Sequence, residues 1–313
     1  MSVPAIGTAP HGFIVLDKPV GLGSTQAVAA VKRNLRAAGC GKVRVGHCGT
    51  LDPLACGVLP IALGEATKLA GRMLEARKTY LFEIAFGSQT DTLDGEGVVV
   101  ARSAVLPTLA QAEAVLPQFT GPIAQVPPAY SALKVAGQRA YDRARAGEAV
   151  TLQPRMVTIH ALSWNGATTT ADERLETLRL VADVAKGTYI RSLARDIALA
   201  LGTVGHVTHL ARMRAGPFGI EQAISLDSLN AIGHGAPLEN VILPLGAGLD
   251  GIPALDLGPE QARAVRQGRV LTGLPFQDGV YWGRSGTVPV ALVELAGGSL
   301  RTLRGFNLGD AAE

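Results

Sequence analysis

The stretch Arg44–Leu63, R-V-G-H-C-G-T-L-D-P-L-A-C-G-V-L-P-I-A-L, constrains this chain more than any other. Three glycines (Gly46, Gly49, Gly57) and two prolines (Pro53, Pro60) fall within it. Glycine permits left-handed backbone and close approach of chains. Proline fixes its own φ and keeps the preceding residue extended. Asp52, lying just before Pro53, is therefore held in an extended or turn conformation on a stiff loop. The apolar run Val58–Leu63 then reads as a buried strand. A stiff loop feeding a core strand aims one carboxylate. Alone, an Asp-Pro pair marks a turn far more often than a reacting group.

Composition narrows the class. A chain of 313 residues suggests one large domain with a small one, or two of middling size. Hydrophobic content of 47% with 18% charged residues supports a real core and argues against disorder. The 38 glycines and 18 prolines call for many turns, as a sheet-rich fold needs. No run approaches the roughly 20 apolar residues of a membrane helix. No Lys or Arg precedes Lys18, so no secretory signal is expected. Cys40, Cys48 and Cys56 are sparse, odd in number and lack C-x-x-C pairing, which favours a reducing cytosol over a disulfide scaffold or zinc site. A cytoplasmic location is expected.

Net charge is only +3, but its distribution is uneven. Between Val31 and Tyr80 nine basic side chains face Asp52, Glu65 and Glu75 alone, an excess of +6 that leaves the rest of the chain at −3. The excess brackets the Asp52 loop, as a phosphate-contacting surface around a cleft requires. A solvated basic helix face would look the same.

Along the chain, residues 1–11 read as a loose tail. Gly12–Asp17 is a short strand, and Ser24 caps a helix to about Ala38 with Val28, Val31 and Leu35 as its apolar stripe. Ala66–Leu74 reads as a helix. Lys78–Gly87 alternates as a strand with Tyr80, Phe82, Ile84 and Phe86 on one face. S-Q-T-D-T-L-D-G-E-G is a polar turn before a strand at Val98–Ala101. Helices are expected at Leu106–Phe119, opened by Pro107, and at Gly137–Gly147, with a proline loop at Gln125–Lys134 between them. Strands follow at Met156–Trp164 and Leu178–Val184. Lys186–Leu201 is a helix capped by Thr188, burying Ile190, Leu193, Ile197 and Leu201, with Arg191 at the border of that stripe. His206–Phe218 is a strand and bend. Beyond Gly251 a helix at Pro259–Gln267 and short strands at Gly279–Gly283, Val288–Leu295 and Ser299–Leu303 make a small β-rich module whose six Arg are balanced by six acidic residues.

The string G-H-C-G-T-L-D-P-L-A-C-G-V-L-P resembles the central motif of the TruB-type pseudouridine synthases, the tRNA pseudouridine-55 synthases. L-D-K-P-x-G-x-x-S-T, K-x-Y, K-G-T-Y-I-R-S-L and H-V-T-H-L-A-R-M-R-A-G-P-F are similar to the family's other motifs, so the likeness runs from Gly12 to the C-terminal module. It implies an α+β pseudouridine synthase fold, a mixed, largely antiparallel central sheet flanked by helices. Residues 1–250 would be the catalytic domain and 251–313 a PUA-like RNA-binding domain. It further implies Asp52 as nucleophile, Arg191 as its partner, Tyr80 in the active site, Leu210 against the target base and His47 entering the RNA loop to replace it. Lys18, Lys78 and the basic residues from Lys68 would hold phosphates. The expected partner is the T-stem-loop of tRNA, bound by a monomer without guide RNA.

The chemistry suits that set. Turning uridine into pseudouridine breaks C1′–N1, rotates the base and joins C1′ to C5, with no atom gained and no redox step. One carboxylate suffices, so no cofactor and no metal is expected. The carboxylate must be ionised in a fairly dry pocket, which a neighbouring arginine favours. Attack at C1′, addition at C6 and a glycal-type route all fit the sequence. Three other readings compete: a guide-dependent synthase of the dyskerin type, which shares the G-T-L-D-P core, an RNA-binding or chaperone protein, and a hydrolase using Asp52. The last lacks a second carboxylate near the motif.

Overall fold

A computed structural model of the chain describes residues 10–308, apart from 132, 136, 149 and 150. Ten strands form one mixed sheet. Its main path runs Leu243–Pro244, Gly12–Lys18, Cys56–Leu63, Gly205–Ala215, Lys78–Phe86, Leu175–Val184, Arg155–Thr169, Gly121–Gln125. The pairings are antiparallel except where Cys56–Leu63 meets Gly205–Ala215 side by side.

The strands near the centre are buried on both faces, and period 2 sorts their side chains. Ile14, Leu16, Leu59, Ile61 and Leu63 join one apolar cluster, with Val31 and Leu35 of helix Ser24–Ala37 and Leu193 and Ile197 of helix Ile190–Ala200. Phe13, Val15, Val58 and Ala62 point the other way, into a cluster that takes in Leu292 and Phe306 of the C-terminal module. That module holds a five-stranded sheet between Ala254 and Gly305, a helix Pro259–Arg266, and an apolar cluster of its own.

Several expectations shift in detail. The tail's first nine residues lie outside the described residues, but Pro10 is buried and the His11 ring accepts the Glu65 N–H at 3.1 Å, so residues 10–11 are docked. The helix expected at Ala66–Leu74 is a 3-10 turn, Gly64–Leu69, running into an α-helix, Ala70–Glu75. The helix expected from Leu106 is α-helical only over Leu109–Val115, because Thr108 and Gln111 close a capping box after Pro107. Gly121–Gln125, unassigned or given to a loop from sequence, is the edge strand of the main sheet. The helix expected over Gly137–Gly147 is shorter, Ala140–Arg145.

Candidate active site

Asp52 stands at the tip of a loop whose backbone is held almost residue by residue. Arg212 donates from Nε to the Val58 carbonyl (2.7 Å) and from its two terminal nitrogens to Thr50 and Gly49 carbonyls (3.2 Å each). The Ser24 hydroxyl donates to the Leu51 carbonyl and accepts the Leu51 N–H, both at 2.9 Å. The Pro53 carbonyl accepts the Gly21 N–H at 2.8 Å and the Lys18 ammonium at 3.2 Å. Ser24 was expected to cap its helix; Gly23 stands at the cap, and the Ser24 hydroxyl serves the loop instead.

The carboxylate meets one guanidinium. Arg191 Nη2 lies 2.9 Å from Asp52 Oδ2, and Nη1 lies 3.3 Å from Asp94 Oδ2. The same nitrogens donate to the carbonyls of Thr92 (2.9 Å) and Tyr130 (3.0 Å). The Arg191 side chain is 6% exposed and that of Asp94 4%, whereas Asp52 keeps 37%. Arg191 is thus locked on its buried side and meets Asp52 on the open side. The helix carrying it starts at Ile190 with Tyr189 at the cap; Thr188, the expected cap, donates to the Ala185 carbonyl at 2.9 Å.

Tyr80 lies across from Arg212 on one side and Ala182 on the other in neighbouring strands. It is half-buried against the apolar cluster that includes Leu51 and Leu210. Leu210 is itself buried, opposite Phe82. His47 is half-buried, and its Nδ1 is enclosed without a hydrogen-bond partner among the described residues. Burial, then the charge of Arg212, holds its pKa below the usual histidine value. Tyr189 also borders the site: burial raises its phenol pKa, and the charge of Asp52 adds to the rise.

Two expected phosphate contacts are corrected. Lys18 is fully buried, and its ammonium donates to the Leu22, Pro19 and Pro53 carbonyls at 2.7, 3.0 and 3.2 Å. Lys78 is 7% exposed and donates to the carbonyls of Met73, Leu74 and Ala76 at the end of the preceding helix. Burial pulls both ammonium pKa values down to about 8. Lys68 pairs with Glu65 at 2.6 Å and donates to the Gly305 carbonyl at 2.8 Å. Lys32, Arg33, Arg36, Lys42, Arg44, Arg72 and Arg77, the rest of the basic excess, are exposed.

Asp94 and Arg212 are the residues that sequence reasoning passed over. Asp94 sits in the stretch read as a polar turn, just after Leu93, whose φ of 63° is left-handed. Its carboxylate accepts the Thr92 hydroxyl at 2.5 Å and the Glu96 N–H at 3.1 Å. The strand Gly205–Ala215 also carries His206, Thr208, His209 and Arg214, so its polar composition did not single out Arg212.

Comparison with known proteins follows the same lines. Residues 32–190 match the model of the TruB family pseudouridylate synthase N-terminal domain, and residues 191–250 that of the tRNA pseudouridylate synthase B C-terminal domain. The chain is 69% identical over 305 residues to the tRNA pseudouridine synthase B of Novosphingobium aromaticivorans, covering 96% of this chain and 99% of that one. It is 54% identical over 304 residues to the tRNA pseudouridine synthase B of Zymomonas mobilis, covering 97% and 98%. A chain in the solved structure of an H/ACA RNP bound to a substrate RNA containing 2'-deoxyuridine shares the fold, with a TM-score of 0.71 at 23% identity, over 99% of this chain and 92% of that one. A chain of a Cbf5–Nop10–Gar1 complex gives a TM-score of 0.69 at 26% identity over 94% and 84%.

Proposed function

The chain belongs to the TruB family of pseudouridine synthases, and from that premise we propose that Asp52 is the nucleophile that isomerises uridine 55 in the T-loop of tRNA. The enzyme is a tRNA pseudouridine synthase, an isomerase. The observation that carries the mechanistic reading is the 2.9 Å contact between Arg191 and Asp52, on a loop pinned by Ser24, Lys18 and Arg212. A guanidinium already fixed by Asp94 and two carbonyls holds the carboxylate pointing one way. The open side of Asp52 is left for a sugar–base unit.

The target uridine leaves its stack to reach the carboxylate. Tyr80 stacks on the flipped base and serves proton transfer near C5, with Leu210 at the apolar wall. His47, kept neutral by burial, fills the place vacated in the RNA. The exposed residues Arg44, Arg72 and Arg77 replace Lys18 and Lys78 as phosphate contacts. The C-terminal module, from residue 251, acts as a PUA-like RNA-binding domain. The protein works as a monomer without a guide RNA.

The test uses an unmodified tRNA transcript, with no cofactor, guide RNA or partner protein, and maps pseudouridine. Product at the T-loop uridine is expected. Product only with a guide would favour the dyskerin-type reading, and free uracil would indicate hydrolysis. Asp52→Asn should lose turnover by on the order of a thousandfold or more while tRNA affinity stays within about threefold. Full turnover in that variant removes Asp52 from its role.

A further inference from the structure

Arg212 is the largest fully buried side chain in the described residues, and its guanidinium forms no ion pair among them. Its hydrogen bonds go to three carbonyls. Two belong to the limb that enters the Asp52 loop, Gly49 and Thr50; the third, Val58, belongs to the limb that leaves it. The fork therefore spans the neck of the loop. At the same place the strand Gly205–Ala215 runs against Gly57, where a Cβ would lie 2.3 Å from the Arg212 carbonyl oxygen. Side chain and backbone of one residue thus set how far apart the two limbs stand.

Burying a guanidinium without a carboxylate is costly. An apolar side chain would fill the space without that cost, but it could not hydrogen-bond both limbs. Nor could a lysine ammonium reproduce a planar fork that reaches three oxygens in fixed directions. We propose that Arg212 is a positioning residue for the isomerisation: it fixes the width of the loop neck, hence the aim of Asp52, and acts on the chemical step rather than on RNA binding. The inference rests on Asp52 being the reacting group, a reading that stands or falls separately with Asp52→Asn.

The test compares Arg212→Lys and Arg212→Met with the parent protein under single-turnover conditions at saturating tRNA, with tRNA affinity and thermal midpoint measured in parallel. A core variant far from the loop, Ile159→Val, controls for lost stability. The single-turnover rate should fall about a hundredfold in both Arg212 variants, as small misplacement of a reacting group does. Affinity for tRNA should hold within about threefold, and Ile159→Val should keep the parental rate. An unchanged rate would overturn the proposal, as would rate and affinity falling together, the mark of a merely structural role. Full activity in Arg212→Lys would also overturn it, since charge without the fork would then suffice. If Arg212→Met does not fold, Arg212→Lys decides alone by the same split between rate and affinity.

Discussion

Lys18 is wholly buried, and among the described residues its ammonium hydrogen-bonds to three carbonyl oxygens. Burial pulls its pKa from 10.5 to about 8 in the folded protein. Below pH 8 both folded and unfolded chains carry the proton, and the burial penalty is present in full. Between about 8 and 10.5 the unfolded chain binds a proton that the folded chain has released, so stability rises with pH through that window. Lys78 behaves alike, so the contrast with Lys18→Met isolates one lysine. The unfolding free energy of the parent should gain about 1–2 kcal/mol over that of Lys18→Met between pH 8 and 9.5 in urea titrations; a flat difference would refute the shift. The same residue shows what sequence can tell at this scale. The pairing of Asp52 with Arg191 was legible because a long motif carried each of them. Lys18 and Lys78 were misread as phosphate contacts because sequence shows a charge and not the carbonyls around it. Asp94 was hidden because a polar turn does not reveal which carboxylate turns inward.

Between residues and whole sheets, the decisive element is the strand Cys56–Leu63, which begins where the loop ends. Its apolar run was readable, because a strand buried on both faces is continuously hydrophobic. Its neighbours were not, since pairing between distant strands leaves no local mark; that Arg212 faces Gly57 follows from the sheet alone. Helix starts erred for a related reason: Ser24 has the right chemistry to cap, but a tertiary partner, Leu51, takes its hydroxyl. Gly57 has φ of +97° and no room for a Cβ, whereas Gly21, at +86°, has nothing within 4 Å of one. Gly57→Ala should therefore cost about 2–5 kcal/mol, backbone strain plus overpacking, and Gly21→Ala only about 1–2 kcal/mol. Urea midpoints of the two variants check this, and equal losses would mean that the strand crossing gives way easily.

At the scale of the molecule, the two sheets share one apolar seam. Phe306, just past the last strand of the small module, is 2% exposed and belongs to the cluster of Phe13, Phe218 and Leu249. Polar contacts flank it: Lys68 to the Gly305 carbonyl at 2.8 Å, and the Asn307 N–H to Glu65 Oε2 at 2.7 Å. The seam lies on the face of the central strands opposite the helices Ser24–Ala37 and Ile190–Ala200. Phe306→Ala should destabilise the protein by about 3–5 kcal/mol through the cavity it leaves, seen as a lower thermal midpoint. Of the loop's pinning hydrogen bonds, the one from Arg212 Nε ends on a member of that cluster, Val58, but on its backbone carbonyl within the strand Cys56–Leu63 and not on its side chain, so at a temperature where the variant is folded its single-turnover rate at saturating tRNA should stay within about threefold. Its affinity for tRNA should fall if the module holds RNA in a fixed place relative to the loop. Loss of rate with affinity intact would mean instead that the seam supports the Asp52 loop, and that the module's place is set for chemistry and not for binding.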